Sequence, residues 1–236
     1  MSTVAYITAR GLFGRRRVLL LLPLPLLLIV LAAICKGYNV PASDWGQPVI
    51  VGLGLAVVLP VIALIVGTGV LGSEVEDGTI VHILTKPLAR RDIIIAKLLV
   101  AAGVTAVTSA VPLFVAGVLA DSVRFGLALA IAATAGAIAY SALFLLLSLL
   151  TRRPVLLGLL YILVWEGLLG RFVSGTRVLS IEQYVITIAD KITPTALLEG
   201  LVSLPVAITM SVVFALGGAL YAINRLGSFS MAGETS

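Results

Sequence analysis

Long apolar runs with almost no charged residues recur along this chain, and they decide which folds are open to it. Several runs reach the length of about 20 residues that an α-helix needs to cross a hydrocarbon core of about 30 Å. Only 11% of the 236 residues are charged and 60% are hydrophobic, whereas about 25% of the residues in globular proteins are charged. The pattern predicts an all-α membrane protein that crosses the bilayer several times.

The apolar runs predict six transmembrane helices within a domain that covers residues 18–224, followed by a tail at 225–236. Their approximate bounds are 18–35, 49–71, 93–120, 125–150, 155–169 and 206–223. The fifth run is short for a full crossing. It therefore either crosses as a short helix or re-enters the membrane.

The distribution of Lys and Arg predicts the orientation of these helices. With the amino terminus inside, eleven of the sixteen Lys and Arg residues lie in inner segments, namely Arg10, Arg15, Arg16, Arg17, Lys86, Arg90, Arg91, Lys97, Arg152, Arg153 and Arg225. Since basic residues concentrate in cytoplasmic segments, both termini are expected in the cytoplasm and the protein in the plasma membrane. Anionic lipid explains the net charge of +5, so no nucleic-acid partner is expected.

Two further segments lie next to the predicted spans. Residues 1–17 suit either an amphipathic helix in the inner interface or a disordered basic tail. The outer segment 170–205 is too apolar for a free loop and too charged for a lipid-facing span. It predicts short or re-entrant helices, because backbone at membrane depth must form its hydrogen bonds within protein.

The longest charged stretch between spans is residues 72–92, GSEVEDGTIVHILTKPLARRD, called here the polar island. Ser73 and Glu76 have the spacing of a capping box. Acidic residues at 74, 76 and 77 would then lie in a first helical turn, where they complement the helix dipole, and Gly78 could end that turn. The island predicts a short acidic helix beneath the bilayer or, equally, a solvated loop.

The run Glu74-x-x-x-Gly78-Thr79, followed by the residues 84–90 (LTKPLAR) and by Lys97, resembles the pattern of ABC-2 type transporter permeases. The resemblance implies a coupling helix in the island that docks in a groove of an ATP-hydrolysing subunit. It also implies an interfacial amino-terminal helix and outer re-entrant helices. The candidate coupling residues are Glu74, Glu76, Asp77, Gly78 and Thr79, and the candidate inner-interface basic residues are Lys86, Arg90, Arg91 and Lys97.

The sequence lacks the phosphate loop G-x-x-x-x-G-K-[ST]. We therefore expect ATP and Mg to bind a separate ATPase subunit, with no catalytic, cofactor or metal residues in this chain. Two permease copies, or one copy and a homologue, would form the pathway. Because the predicted spans carry so little charge, the cargo is expected to be amphiphilic or hydrophobic and exported.

Glu166 is the one acidic residue near mid-depth of a predicted span. Intramembrane carboxylates are often functional, so Glu166 is a candidate residue of the transport pathway or of a gate. The alternative is that Glu166 lies at the outer mouth of a short helix, near Arg171. An ion- or proton-coupled carrier is a further hypothesis, but one carboxylate supports it weakly. A non-transporting assembly factor also stays open, whereas the single His82 leaves little basis for an enzyme.

Overall fold

The computed structural model describes residues 21–76 and 90–228, and in these residues the regular structure is helical throughout. The helices are α1 (Pro23–Gly37), α2 (Ala42–Gly46, Gln47–Val58 and Leu59–Glu76 in continuous succession), α3 (Arg90–Ala120), α4 (Val123–Leu150), α5 (Pro154–Leu160, Tyr161–Leu169 and Gly170–Phe172), α6 (Ile181–Ile192) and α7 (Leu204–Ser228). A 3₁₀ turn, Ser174–Leu179, lies between α5 and α6. The middle parts of α2 and α5 are π-helical.

Four of these helices are long and apolar enough to cross a membrane. They contain the stretches Ala42–Val70, Arg91–Ala120, Val123–Leu150 and Leu204–Leu226. The apolar helices Pro23–Gly37 and Pro154–Leu169 are shorter. At 1.5 Å per residue, these two span about 22–24 Å, less than the hydrocarbon core of about 30 Å.

Local chemistry accounts for several helix boundaries. α1 ends before Asn39, which adopts the left-handed conformation with φ 53°, a conformation that Asn tolerates better than most residues. The Ser122 side chain caps α4 by accepting a hydrogen bond from the Phe125 amide at 3.2 Å. The residue before α6, Ser180, caps that helix through the Gln183 amide in the same way.

The end of α2 corrects the predicted capping box. The helix runs through to Glu76, so Ser73 lies in its last turn and does not begin a new helix. The physical reason is that no proline separates the apolar run from Ser73, and Gly72 alone does not end the helix, since a glycine within a helix costs only about 1 kcal/mol. Acidic residues 74 and 76 therefore lie at the end of a helix, where the dipole disfavours negative charge.

Helix α4 lies at the centre of the bundle and packs against α2, α3, α6 and α7. Small residues let its neighbours approach closely, because Ala128 and Ala132 are fully buried and a Cβ on Gly136 would lie 2.5 Å from Val185. α6 is also mostly buried. Together with α2 and α5, it forms the end of the bundle at which the polar side chains described next are found.

Candidate functional site

The candidate coupling residues lie at or beyond the edge of the described structure. Glu74 and Glu76 are in the last turn of α2, and the structure describes the backbone of this turn only. Asp77, Gly78, Thr79 and Lys86 fall outside the described residues. The structure thus fixes where the polar island starts and ends, at α2 and α3, and leaves its docking role a prediction.

The basic residues after the island differ in their environments. Arg90 begins α3, and the Arg91 side chain is exposed beside Asp92, with 3.7 Å between Nε and Oδ1. Lys97 is buried, only 1% exposed, and its Nζ donates a hydrogen bond of 2.7 Å to the Val70 carbonyl oxygen. Lys97 therefore ties α3 to α2 near the two ends of the island.

Glu166 accepts hydrogen bonds from several parts of the chain. It is 2% exposed, and its Oε1 accepts bonds from the Tyr140 hydroxyl at 3.0 Å, the Tyr161 hydroxyl at 2.9 Å and the Ile181 amide at 2.9 Å. Its Oε2 accepts a bond from the Ser180 hydroxyl. This Glu166 cluster links α4, α5 and the start of α6.

The π-helical geometry of α5 explains one of these bonds. In a π-helix, backbone bonds join residues five apart, as in the bond from the Gly170 amide to the Trp165 carbonyl. Tyr161 and Glu166 are also five apart, so the wider turn places them on one face. In an α-helix, with 3.6 residues per turn, they would diverge by about 140°.

The segment between α5 and α6 is held by further bonds from the same region. The Trp165 indole donates to the Leu179 carbonyl at 3.2 Å, and the Thr176 hydroxyl donates to the Leu169 carbonyl at 2.7 Å. The Tyr184 hydroxyl donates to the Val178 carbonyl. Burial, followed by the charge of Glu166, raises the pKa of Tyr184 well above its ordinary value, so the hydroxyl keeps its proton.

Two adjoining cavities lie along α2 and α6, one beside α5 and the other beside the segment between α6 and α7. The apolar cavity, of about 360 Å³, is lined by Ala56, Val57, Val61, Leu159, Ile162 and Leu163 among others. The acidic cavity, of about 420 Å³, has Gln47, Glu182, Gln183 and Glu199 as its polar lining residues. Gly52 and Glu182 line both cavities, so the two cavities are neighbours. Together they are called here the groove, which has an apolar and a polar end.

The size and lining of the groove are those of a binding site for a small molecule. In the part of the chain that the structure describes, no group of three or more His, Cys, Asp or Glu residues could hold a metal ion. Cavities of roughly 300–1,000 Å³ with mostly apolar walls and a few polar groups are typical of small-molecule sites. The arrangement can accommodate a molecule with an apolar body and a polar group.

Sequence reasoning singled out Glu166 but not the groups that surround it. Tyr140 and Ser180 are 26 and 14 residues away from it along the chain, and no local pattern predicts such contacts. One signal was present: Ser180-x-x-Gln183 has capping-box spacing, which marks the start of α6. The sequence contains no comparable pattern that predicts the π-helical stretches lining the groove.

The long apolar helices define the chain as an all-α membrane protein. A family model described as ABC-2 family transporter protein matches residues 15–173, more than half of the chain. The chain therefore belongs to the ABC-2 transporter family, and it is a permease of the ABC-2 type, a membrane transport component that is not itself catalytic. The comparison with curated proteins found no match.

Proposed function

We propose that this chain is the transmembrane subunit of an ATP-driven exporter, coupled through residues 72–92 to a separate ATPase subunit that binds ATP and Mg. The family match carries this proposal, because ABC-2 permeases typically partner with an ATPase subunit. The polar island supports it as well. Its first residues lie in the end of α2 and its last residues begin α3, and the buried Lys97 joins those two helices.

We further propose six crossings, with α1 and α5 as the short ones, both termini in the cytoplasm and the plasma membrane as location. The domain boundaries stay as the sequence predicts, with an interfacial segment at 1–17, a transmembrane domain at 18–224 and a tail at 225–236. A second permease, identical or homologous, completes the pathway. In this arrangement the outer segment 170–205 contains α6 and the groove opens toward the outside.

The groove supports an amphiphilic or hydrophobic cargo. Side chains at its apolar end, such as Val57, Leu159 and Leu163, are exposed on the single chain and offer contacts to an apolar body. Burying such a body gains about 25 cal/mol per Å² of apolar surface. Glu166 lies beside this groove but lines neither of its cavities. The hydrogen bonds of Glu166 hold α6 in place over the groove. In this proposal it acts as the closing element of an outer gate.

Replacing Glu74 and Gly78 together by alanine tests the coupling. The double variant should lose ATPase association, or keep it without ATP-driven transport, since the acidic contact and the turn would both be gone. The measurement is ATP hydrolysis that co-purifies with the tagged chain in mild detergent, alongside thermal unfolding of the chain.

The matched control is Asp44→Asn, which removes one acidic charge at the other end of α2. It should leave the co-purified hydrolysis unchanged. Normal association and normal transport in the Glu74→Ala, Gly78→Ala variant would place the coupling contact elsewhere.

A further inference from the structure

The charge of the groove is opposite in sign to that of the chain. The sequence has more Lys and Arg than Asp and Glu, with a formal charge of +5. The three cavities that the structure describes are nevertheless lined by Glu182, Glu199 and Asp121 and by no Lys, Arg or His. A ligand in these cavities therefore meets negative side chains at close range.

The hydrogen-bonding groups of the acidic cavity are mainly acceptors. The carboxylate oxygens of Glu182 and Glu199 are hydrogen-bond acceptors. Gln183 is 7% exposed, and its buried Oε1 has no hydrogen-bond partner. Since leaving a buried polar atom unpaired is costly, this oxygen is open to a donor from outside the chain.

Other buried polar atoms without partners lie at the same end of the bundle. Among the described residues they include Trp45 Nε1, Thr187 Oγ1 and Thr195 Oγ1. Thr195 lines a neighbouring cavity together with Gln47, and Gln47 also lines the acidic cavity. Native proteins leave few such atoms, and each one needs a bound group or a water molecule.

We propose that the acidic cavity binds the positively charged group of an amphiphile, such as a protonated amine or a quaternary cation, while the apolar cavity takes its hydrophobic part. This inference rests on the proposed transport function and narrows its cargo to cationic amphiphiles. Glu182 is the central contact, because it lines both cavities and is only 3% exposed. Glu199 adds charge at the exposed mouth, and Gln183 accepts a hydrogen bond when the charged group is a protonated amine.

Three aromatic probes separate charge from size: the cation tetraphenylphosphonium, the anion tetraphenylborate and the uncharged triphenylphosphine oxide. Their binding is measured by equilibrium dialysis with the full chain and its ATPase in nanodiscs of zwitterionic lipid, after subtraction of binding to empty nanodiscs. The cation should bind most tightly. Its affinity should fall about two- to fivefold in Glu199→Gln, as for exposed ion pairs, and about tenfold or more in Glu182→Gln.

Gln183→Met distinguishes a ligand contact from a structural role. The variant removes the unpaired oxygen, so the empty protein should unfold at a higher temperature although it binds a protonated alkylamine, used as a fourth probe, more weakly than the wild type. Asp44→Asn, an exposed acid outside these cavities, should leave all affinities unchanged.

The inference is overturned if the anion or the uncharged probe binds as tightly as the cation, or if Glu182→Gln and Glu199→Gln leave the cation affinity unchanged. If all three probes bind equally well to a chain that still retains its ATPase, the proposed preference for cations is wrong, but the proposed transport function is not contradicted. Absence of ATPase from the purified chain, with Glu-dependent cation binding intact, would instead contradict the transport function.

Discussion

Glu166 is a buried carboxylate whose acceptor sites are filled by groups from three parts of the chain. Tyr140 comes from the central helix α4, Tyr161 from α5 itself, and Ser180 and Ile181 from the start of α6. Hydrogen bonds to a charged group are each worth about 1.5–3 kcal/mol. The side chain therefore fixes the position of α6 rather than presenting a free carboxylate.

Replacing Glu166 by leucine should destabilise the fold strongly. Two tyrosine hydroxyls and the Ile181 amide would lose their acceptor, and each unpaired buried donor costs about 1–3 kcal/mol. Tyr161→Phe, which removes a single bond, should cost about 1 kcal/mol. Thermal unfolding in nanodiscs checks both variants, with Tyr221→Phe, at an exposed tyrosine of α7, as the control. A Glu166→Leu protein as stable as the wild type would show that the cluster does not hold α6.

The sequence could single out Glu166 as an unusual residue, because a carboxylate within an apolar run is rare and costly; its role in the pathway or a gate stays a prediction. The partners of Glu166 could not be predicted. Tyr140 lies on a different helix, and which face of α4 meets α5 depends on how all the helices pack. The coupling residues Glu74 and Gly78 remain sequence predictions, since the side chain of the first and the whole of the second lie outside the described structure.

Among the helices, the apolar runs of the sequence predicted the position of each helix better than they predicted its first and last residues. α2 begins at Ala42, seven residues before the predicted span. Asp44 in its first turn complements the helix dipole, so polar residues there extend the helix instead of ending it. The π-helical part of α5 was not predicted, because hydrophobicity alone does not reveal a change from 3.6 residues per turn.

The crossing of α3 and α4 depends on backbone contact at Gly126. A Cβ there would lie 2.7 Å from the Phe114 carbonyl oxygen, and one on Gly117 would lie 2.8 Å from the Gly126 Cα. Backbone atoms cannot rotate aside as a side chain can. Gly126→Ala should therefore lower the free energy of unfolding by about 1–3 kcal/mol, the usual cost of overpacking.

Gly103, on α3, provides the matched control, because a Cβ at that position would have no neighbour within 4 Å. Gly103→Ala should leave stability unchanged or raise it slightly, since alanine is the better helix former. Unfolding of both variants by heat in nanodiscs compares the two sites. Equal stability of Gly126→Ala and Gly103→Ala would show that the two helices can separate at no cost.

For the whole molecule, composition and apolar runs were sufficient to predict an all-α membrane protein, and the motif in the polar island predicted the ABC-2 family that the family match confirms. Within residues 21–76 and 90–228, four helices have full crossing length and two apolar helices are shorter, so the six crossings remain a proposal. The groove between α2, α5 and α6 could not be predicted, because its lining comes from segments more than a hundred residues apart.

The central claim is that a separate ATPase powers transport through this chain. The most direct measurement is uptake of tetraphenylphosphonium into inside-out proteoliposomes that hold the chain and its ATPase, with valinomycin and equal potassium on both sides to remove any membrane potential. We predict uptake that requires ATP and both proteins and that a protonophore does not reduce. Uptake that needs no ATPase and collapses with the protonophore would contradict the account and identify an ion-coupled carrier.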